Sequence, residues 1–222
     1  MSGRSDASVR TDSRAASQSW VKYFGGPFTF SAGQYAQVEL APGLSRHYSM
    51  ASTPDEPELT FHVRHMPGGR TSAYAATQLK VGDRIKVSGP LGIAYLRDAH
   101  QGPVLAIAGG SGLAPIQSIL STLLERGHPA PVTLYFGVRS ERDVYHEPLL
   151  KDLAAKHANF RYHVVLSEQK GLVHEALALE QTADVMVYMA GPPVMVEAAT
   201  AKLLSLGVAQ RQIHADAFYN QG

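Results

Sequence analysis

The chain has 222 residues, of which 45% are apolar, and a formal net charge of +1, so it is long enough to bury one large core or two small ones. Basic and acidic residues are interspersed, which gives no electrostatic footprint for nucleic acid or an anionic membrane surface. The absence of cysteine excludes disulfides, thiolate zinc sites and iron-sulfur clusters held by this chain through thiolates. Because there is no long apolar run and no secretory signal, we expect a cytoplasmic protein without a membrane partner.

The first part of the chain divides into a polar tail and a region of short strands. Residues 1–20 are dominated by Ser, Arg and Ala, a composition that predicts a disordered tail because few large apolar side chains can offset the ordering entropy. Residues 21–99 contain short alternating runs separated by Gly and Pro, which predict a small antiparallel β-barrel domain. We expect strands at 34–40, 46–50, 59–64 and 84–88 and one helix at 72–79.

Residues 100–222 alternate between apolar strands and helical patterns. This rhythm predicts a doubly wound α/β domain with a five-stranded parallel sheet covered on both faces. The expected strands are 103–108, 132–138, 160–166, 184–189 and 212–218, and the expected helices are 115–126, 149–157, 173–179 and 194–206.

Two glycine-rich loops follow strands of this second domain. Their candidate residues are Gly110, Ser111, Gly112 and Pro115 in the first loop and Gly191, Pro192, Pro193 and Met195 in the second. Glycine lets a pyrophosphate approach backbone N–H groups, and the following helix N-terminus adds partial positive charge. Either loop alone could be a structural turn, but two loops at one edge of a parallel sheet predict a dinucleotide site.

Arg139 ends the second strand of this domain, where the adenosine ribose of a dinucleotide is normally recognised. A cation there could bind a 2′-phosphate, whereas the nearby Asp143 favours a free 2′-hydroxyl. The sequence therefore does not decide between NADH and NADPH as the preferred nucleotide, although it slightly favours NADH. Arg139 could also be a solvated loop residue without a ligand.

One strand of the predicted barrel carries side chains that could bind a phosphate and stack on a flat ring. Arg46 and Tyr48 alternate on one face of this strand, and Ser49 faces the other side. A cation and a flat aromatic ring on one face can contact a single extended ligand. Without further context, this run would also fit an ordinary strand.

A second candidate anion site follows in the barrel. Arg64 precedes a turn formed by Gly68, Gly69 and Ser72, which opens the predicted helix. Such a turn can bind an anion in the same way as the loop at Gly110. Ten histidines are present, but none is paired with the spacing that a zinc hydrolase requires, so we expect no metal site.

In this order, the Arg-x-Tyr-Ser strand, the Gly-Gly-x-x-Ser turn and the two glycine-rich loops resemble the ferredoxin-NADP reductase superfamily. Residues 88–97, 135–145 and 214–219 are similar to the reductase components of naphthalene-type aromatic-ring-hydroxylating dioxygenases. The resemblance covers residues 28–219. It implies an FAD-dependent oxidoreductase that takes a hydride from NADH or NADPH at flavin N5. The electrons then pass to a separate iron-sulfur ferredoxin or Rieske-type oxygenase component.

The resemblance also implies roles for individual residues of the barrel. Arg46 would bind the FAD pyrophosphate, Tyr48 would stack on the isoalloxazine ring, and Ser49 would hydrogen-bond near flavin N5. Gly69 and Ser72 would help to hold the pyrophosphate.

In the second domain, the resemblance assigns dinucleotide binding to both glycine-rich loops. Phe218 would cover the flavin face that the nicotinamide must displace, which places it with Tyr48 and Ser49 among the expected catalytic residues. Asp216, two residues earlier in the same terminal motif, belongs with the expected cofactor-binding residues. Ala190 stands where the family often has Cys near the site of hydride transfer.

Two further departures keep alternatives open. Relatives usually have a barrel strand before residue 28, and the polar tail matches it poorly, which would leave the barrel without its first strand. Many relatives also carry a fused iron-sulfur domain, which a chain without cysteine cannot contain. The alternatives are an NAD(P)H-flavin reductase, a reductase for another acceptor, and a truncated, non-catalytic nucleotide-binding protein. We expect a monomer in each case.

Overall fold

A computed structural model of the protein describes residues 3–10, 18–23, 28–66, 68–179 and 182–219. The first sheet has six antiparallel strands: β1 (Gly3–Arg10), β2 (Gln18–Tyr23), β3 (Tyr35–Ala41), β4 (Leu44–Ser49), β5 (Leu59–Arg64) and β6 (Arg84–Leu91). Their spatial order is β4-β3-β6-β1-β2-β5. An antiparallel bridge between Met50 and Phe61 joins the two ends of this series, so the sheet closes into the predicted barrel.

The barrel core follows the period of two that its sequence shows. In β3, Ala36, Val38 and Leu40 are buried inside, and Gln37 and Glu39 face outward. The helix α1 (Arg70–Thr77) lies between β5 and β6 in the chain and packs against β3, β4 and β5. This packing places α1 beside β4, the strand that carries Arg46.

The prediction of a disordered tail is wrong where the structure describes it. β1 pairs with β2 and β6, and β2 also pairs with β5. These pairings satisfy backbone groups of strands that would otherwise form open edges, a contribution that the side-chain composition does not report. The expectation that the barrel lacks its first strand is therefore also wrong. Residues 1, 2 and 11–17 of the predicted tail lie outside the described residues.

The second sheet has five parallel strands: β7 (Val104–Gly109), β8 (Val132–Val138), β9 (Phe160–Leu166), β10 (Met186–Gly191) and β11 (Ile213–Ala217). Its order is β11-β10-β7-β8-β9, and its helices are α2 (Leu113–Glu125), α3 (Glu147–Lys156), α4 (Ser167–Lys170) and α5 (Pro193–Ser205). Separate apolar clusters cover the two faces of the sheet, which confirms the predicted fold class. The order reverses between β7 and β10, so their carboxyl ends form the switch point where such folds bind ligands.

The helix expected at 173–179 is wrong. The chain forms turns there, and a four-residue helix, α4, occurs earlier. The carboxylate of Glu175 accepts a hydrogen bond from the backbone N–H of Leu172 at 2.7 Å, which closes a local turn. Val173 and Leu177 are buried, so their apolar spacing reflects packing on the sheet and not a helical face.

The two domains pack directly on each other through α2. The hydroxyl of Ser118 donates a buried hydrogen bond of 2.7 Å to the carbonyl of Ser52 in the barrel. At the far end of α2, Arg126 forms ion pairs with Asp55 at 3.2 Å and Asp98 at 2.8 Å. The barrel strand β5 also contacts residues 110–112, which follow β7. We call the space between this barrel edge and the carboxyl ends of β7 and β10 the cleft. Among the described residues, no helix has the length and apolar character needed to span a membrane.

Candidate functional site

The barrel side of the cleft is formed by the end of β4. Arg46 is exposed, Tyr48 is half-buried against the barrel core, and Ser49 is buried. Burial raises the pKa of the Tyr48 phenol to about 12, although the Arg46 charge acts in the opposite direction. Tyr48 is therefore a neutral ring at physiological pH, with one face held by the core.

The turn before α1 is closed by its own side chain. The Ser72 hydroxyl accepts a hydrogen bond from the backbone N–H of Met66 at 3.1 Å and donates one to the carbonyl of Gly69 at 3.2 Å. Gly69 is the N-cap residue and supplies no side-chain cap. Ser72 shapes this helix start, while backbone N–H groups are the donors that an anion could use. Gly68 lies in the same turn with a φ of 78°.

The two glycine-rich loops of the second domain are packed backbone against backbone. A Cβ atom on Gly112 would collide with the carbonyl oxygen of Ala190, and a Cβ on Gly191 would lie 3.0 Å from the carbonyl oxygen of Gly109. Only glycine permits this approach, and Gly112 provides no side-chain cap for α2. Ser111 lies between the two glycines, and Pro115 is buried in the first turn of α2. The packed loops therefore meet at the start of α2, where Gly110 and Ser111 are half-buried and the following residues are buried.

The second loop also contacts the last strand. The carbonyl of Gly191 accepts a hydrogen bond of 2.9 Å from the backbone N–H of Phe218. Pro192 caps α5 and Pro193 is its first residue, with Met195 in the first turn. The Phe218 ring is half-buried against the core beside this loop.

Asp216 lies on β11 opposite Ala190 of β10. Burial raises the pKa of its carboxyl to about 6, and the charge of His47 on β4 acts in the opposite direction. This electrostatic contact joins the end of the parallel sheet to the barrel strand that carries Arg46 and Tyr48. The carboxyl of Asp216 therefore holds its proton more tightly than a solvent-exposed aspartate does.

Arg64 connects the two halves of the site. It ends β5, and a Cβ on Gly110 would lie 3.6 Å from its Nη1 atom. The hydroxyl of Tyr145 donates a hydrogen bond of 3.1 Å to the carbonyl of Gly110. A cation of the barrel therefore lies directly beside the first glycine-rich loop, within reach of anionic groups bound at either position.

A stacked pair of histidines, buried His62 and half-buried His146, lies behind this contact and was not predicted from the sequence. The ring of His62 on β5 stacks on that of His146 at a centroid distance of 4.6 Å and meets Tyr145 edge-on at 5.5 Å. Burial lowers the pKa of His62 well below its usual value, and that of His146 is lowered by the same cause. The two neutral rings help to hold the barrel against the loop after β8. An alternating strand pattern places His62 on the face of β5 opposite the core residues Phe61 and Val63, but it does not identify the partner of His62.

The loop after β8 differs from expectation. Asp143 accepts hydrogen bonds from the backbone N–H and hydroxyl of Ser140 at 3.1 and 2.8 Å, so its carboxylate closes a turn. Arg139 instead forms an ion pair with Glu168, from Nε to Oε1 at 2.9 Å. The sequence did not predict Glu168 as the partner of Arg139, since a lone carboxylate in a short helix forms no pattern.

These features define a class of protein. Both α1 and α2 begin at a glycine without a side-chain cap, which is the setting that pyrophosphates require. One site adds a cation and a neutral ring, as a flavin dinucleotide needs, and the other lies at the switch point used by nicotinamide dinucleotides. The described residues therefore fit FAD and NAD(P)H, as in a two-domain dinucleotide-dependent oxidoreductase.

Comparison with known proteins leads to the same class. The oxidoreductase FAD-binding domain family matches residues 25–95, and the oxidoreductase NAD-binding domain family matches residues 106–201. The cytochrome P450 reductase GcoB of Amycolatopsis superposes with a TM-score of 0.87 at 31% identity, over 97% of this chain and 70% of that one. The ferredoxin reductase of carbazole 1,9a-dioxygenase gives 0.85 at 30% identity, over 97% and 69%.

Two curated relatives are more similar in sequence. The ferredoxin–NAD(P)(+) reductase component of a naphthalene 1,2-dioxygenase/salicylate 5-hydroxylase system from Ralstonia is 44% identical, and that of a naphthalene 1,2-dioxygenase system from Pseudomonas putida is 42% identical. Each alignment covers 88% of this chain, which spans 62% of the length of each relative. The chain belongs to the ferredoxin reductase family of oxidoreductases with FAD-binding and NAD-binding domains, as its motifs predicted.

Proposed function

We propose that the protein is an FAD-dependent NAD(P)H reductase that supplies electrons to a separate iron-sulfur ferredoxin or oxygenase component. The observation that carries the proposal is the contact of Arg64, at the end of the barrel strand β5, with Gly110 of the first nucleotide loop. Because of this contact, two dinucleotides bound at the two helix starts would share one cleft. The names of the Ralstonia and Pseudomonas relatives support a ferredoxin as the acceptor.

Bound FAD supplies the redox chemistry, because a flavin accepts two electrons from a nicotinamide and releases them one at a time. Arg46 neutralises phosphate charge at the barrel edge, and the start of α1 offers backbone donors. Tyr48 provides a rigid, uncharged ring for stacking. The buried hydroxyl of Ser49 supplies a hydrogen bond at the inner end of this strand.

The parallel sheet positions the reductant. The loops at Gly110 and Gly191 bind the pyrophosphate of NAD(P)H at the start of α2. Phe218 lies beside Gly191 and covers the ring-binding surface until the nicotinamide displaces it. This displacement is a conformational step that gates the approach of the two rings.

We also propose the chain organisation that follows from this function. The flavin domain ends and the nicotinamide domain begins between β6 and β7, near residues 98–102, and strands β1 and β2 belong to the flavin domain. A cytoplasmic location and a monomeric state are the expected setting for such a reductase.

Flavin content and electron transfer test the proposal. The purified chain, reconstituted with FAD, should absorb at about 450 nm with about one FAD per chain. Addition of NADH or NADPH without oxygen should bleach this absorbance. Turnover should then be far more efficient with a purified [2Fe–2S] ferredoxin than with ferricyanide or free FMN.

Two arginine variants provide a matched comparison. Arg46→Ala should reduce FAD occupancy, because it removes a charge that pairs with phosphate. Arg161→Ala, at an exposed position of β9, should leave occupancy unchanged. A chain that binds ADP and NADH yet takes up no FAD would refute the proposal and support a non-catalytic nucleotide-binding protein. Equal efficiency with ferredoxin and free FMN would support a flavin reductase instead.

A further inference from the structure

The ion pair between Arg139 and Glu168 sets the charge at the adenosine end of the proposed nucleotide site. Arg139 follows β8 and Glu168 lies in α4, directly after the neighbouring strand β9. In addition to the 2.9 Å ion pair, the backbone N–H of Glu168 donates a hydrogen bond of 3.1 Å to the carbonyl of Arg139. The two strand ends are therefore joined by a backbone and a side-chain contact.

This position is where doubly wound folds distinguish the two nicotinamide nucleotides. The end of the strand next to the glycine-rich turn contacts the adenosine ribose, through a carboxylate for a free 2′-hydroxyl or an arginine for a 2′-phosphate. β8 is that strand, because it pairs with β7 on the side opposite β10. The sequence offered Arg139 and Asp143 as competing determinants, and Asp143 is held by Ser140.

The local charges oppose a 2′-phosphate. Glu168 matches the charge of Arg139 at 2.9 Å, and the following loop residues Glu141, Arg142 and Asp143 add no net positive charge. A 2′-phosphate that approached Arg139 would also approach the carboxylate of Glu168. A hydroxyl at the same place could donate a hydrogen bond to that carboxylate.

From these contacts we infer that the protein selects NADH over NADPH and that Glu168 is the residue that enforces the selection. Glu168 neutralises Arg139, repels a 2′-phosphate and accepts a hydrogen bond from the free ribose. The inference rests on the proposed function, since it assigns the reductant of the same site. At about 6 Å in water, repulsion between a carboxylate and a phosphate with about two negative charges corresponds to about a tenfold loss of affinity.

The test compares both nucleotides in two variants. In the wild-type FAD-loaded protein, kcat/KM with ferricyanide should be higher for NADH than for NADPH. Glu168→Gln should reduce this ratio about tenfold, with a gain for NADPH. Asp152→Asn removes an exposed carboxylate that pairs with Lys156 at 2.7 Å on α3, and it should leave the ratio unchanged.

A binding measurement tests the same residue without turnover. In calorimetric titrations, the wild-type chain should bind ADP more tightly than adenosine 2′,5′-bisphosphate, and Glu168→Gln should narrow the difference. Because the ion pair is solvent-exposed, added salt should also reduce the difference in affinity between the two ligands. The screening length falls from about 10 Å at 0.1 M salt to about 3 Å at 1 M.

Two results would overturn the inference. The first is a wild-type protein that prefers NADPH. The second is a loss of NADPH use in Glu168→Gln, which would mean that Glu168 orients Arg139 toward the phosphate. Failure of the proposed function gives a different result, because the flavin would then be reduced by neither nucleotide while the titrations still rank the two adenosine ligands.

Discussion

Substitution of Gly112 by Ala tests the close packing of the two nucleotide loops. Gly112 has helical backbone angles, φ −61° and ψ −12°, so alanine is not strained by its conformation there. The added Cβ would collide with the carbonyl of Ala190 and lie 2.8 Å from the backbone nitrogen of Gly191, where ordinary contacts begin at 3.4 Å. Both contacts are with backbone, so the loops must move apart by more than half an ångström.

The magnitude follows from this forced movement. Overpacking of a close-packed site costs about 1–3 kcal/mol, which for a chain of this size lowers Tm by about 2–12 °C. If NADH binds only to the closely packed loops, the same free energy is lost on binding, and the Kd for NADH should rise by about 5–150-fold. FAD content should not change, because the substituted residue lies outside the barrel.

A second alanine variant, at a glycine that follows the same helix, separates the effect of the collision from general destabilisation. Gly127 follows α2 with a φ of 74°, and a Cβ there meets no atom within 4 Å. Gly127→Ala should lower Tm through about 1–2 kcal/mol of backbone strain and leave NADH affinity unchanged. Calorimetry and fluorescence titration measure both quantities. Wild-type NADH affinity in Gly112→Ala would refute the argument that backbone contact between the loops shapes the site.

Further predictions concern the cleft and the domain contact. Phe218→Ala should change nicotinamide affinity or the rate of flavin reduction in stopped-flow experiments, and unchanged values would exclude a gating role. The folded-state pKa of Asp216, about 6, lies above the ordinary value of 3.8, so the folded state holds the proton more tightly and loses stability as pH rises from about 4 to 6. Asp216→Asn should remove this loss. The difference in the free energy of unfolding between Asp216→Asn and wild type, measured by urea unfolding, should therefore be about 1–2 kcal/mol more favourable to the variant at pH 7.5 than at pH 4.5. A difference that does not change with pH would contradict the burial of this carboxyl. Ser118→Ala should cost about 1–3 kcal/mol, since the buried carbonyl of Ser52 loses its donor, and an unchanged Tm would show that the domain contact does not depend on this bond.

Pattern-based expectations succeeded where burial on both faces of a sheet determines the sequence. The strand expected at 132–138 is β8 with the same bounds, because central parallel strands of such a sheet are continuous apolar runs. The strand expected at 160–166 is β9 with the same bounds, although Arg161 and His163 of this edge strand are exposed. The expectations failed at 3–10 and 18–20, where backbone pairing forms strands, and at 173–179, where apolar spacing arises from packing under a turn. In both regions the decisive partners are distant in the chain.

By itself, the sequence determined the two-domain architecture, the family and the positions of the glycine-rich loops, because hydrophobic period and glycine spacing are local properties. Only the tertiary structure decided that Arg64 meets Gly110, that His62 stacks on His146, and that Glu168 pairs with Arg139 while Asp143 closes its own turn. These contacts join residues on separate strands and loops. The charge that a ligand encounters depends on such pairings, which form only when the chain has folded.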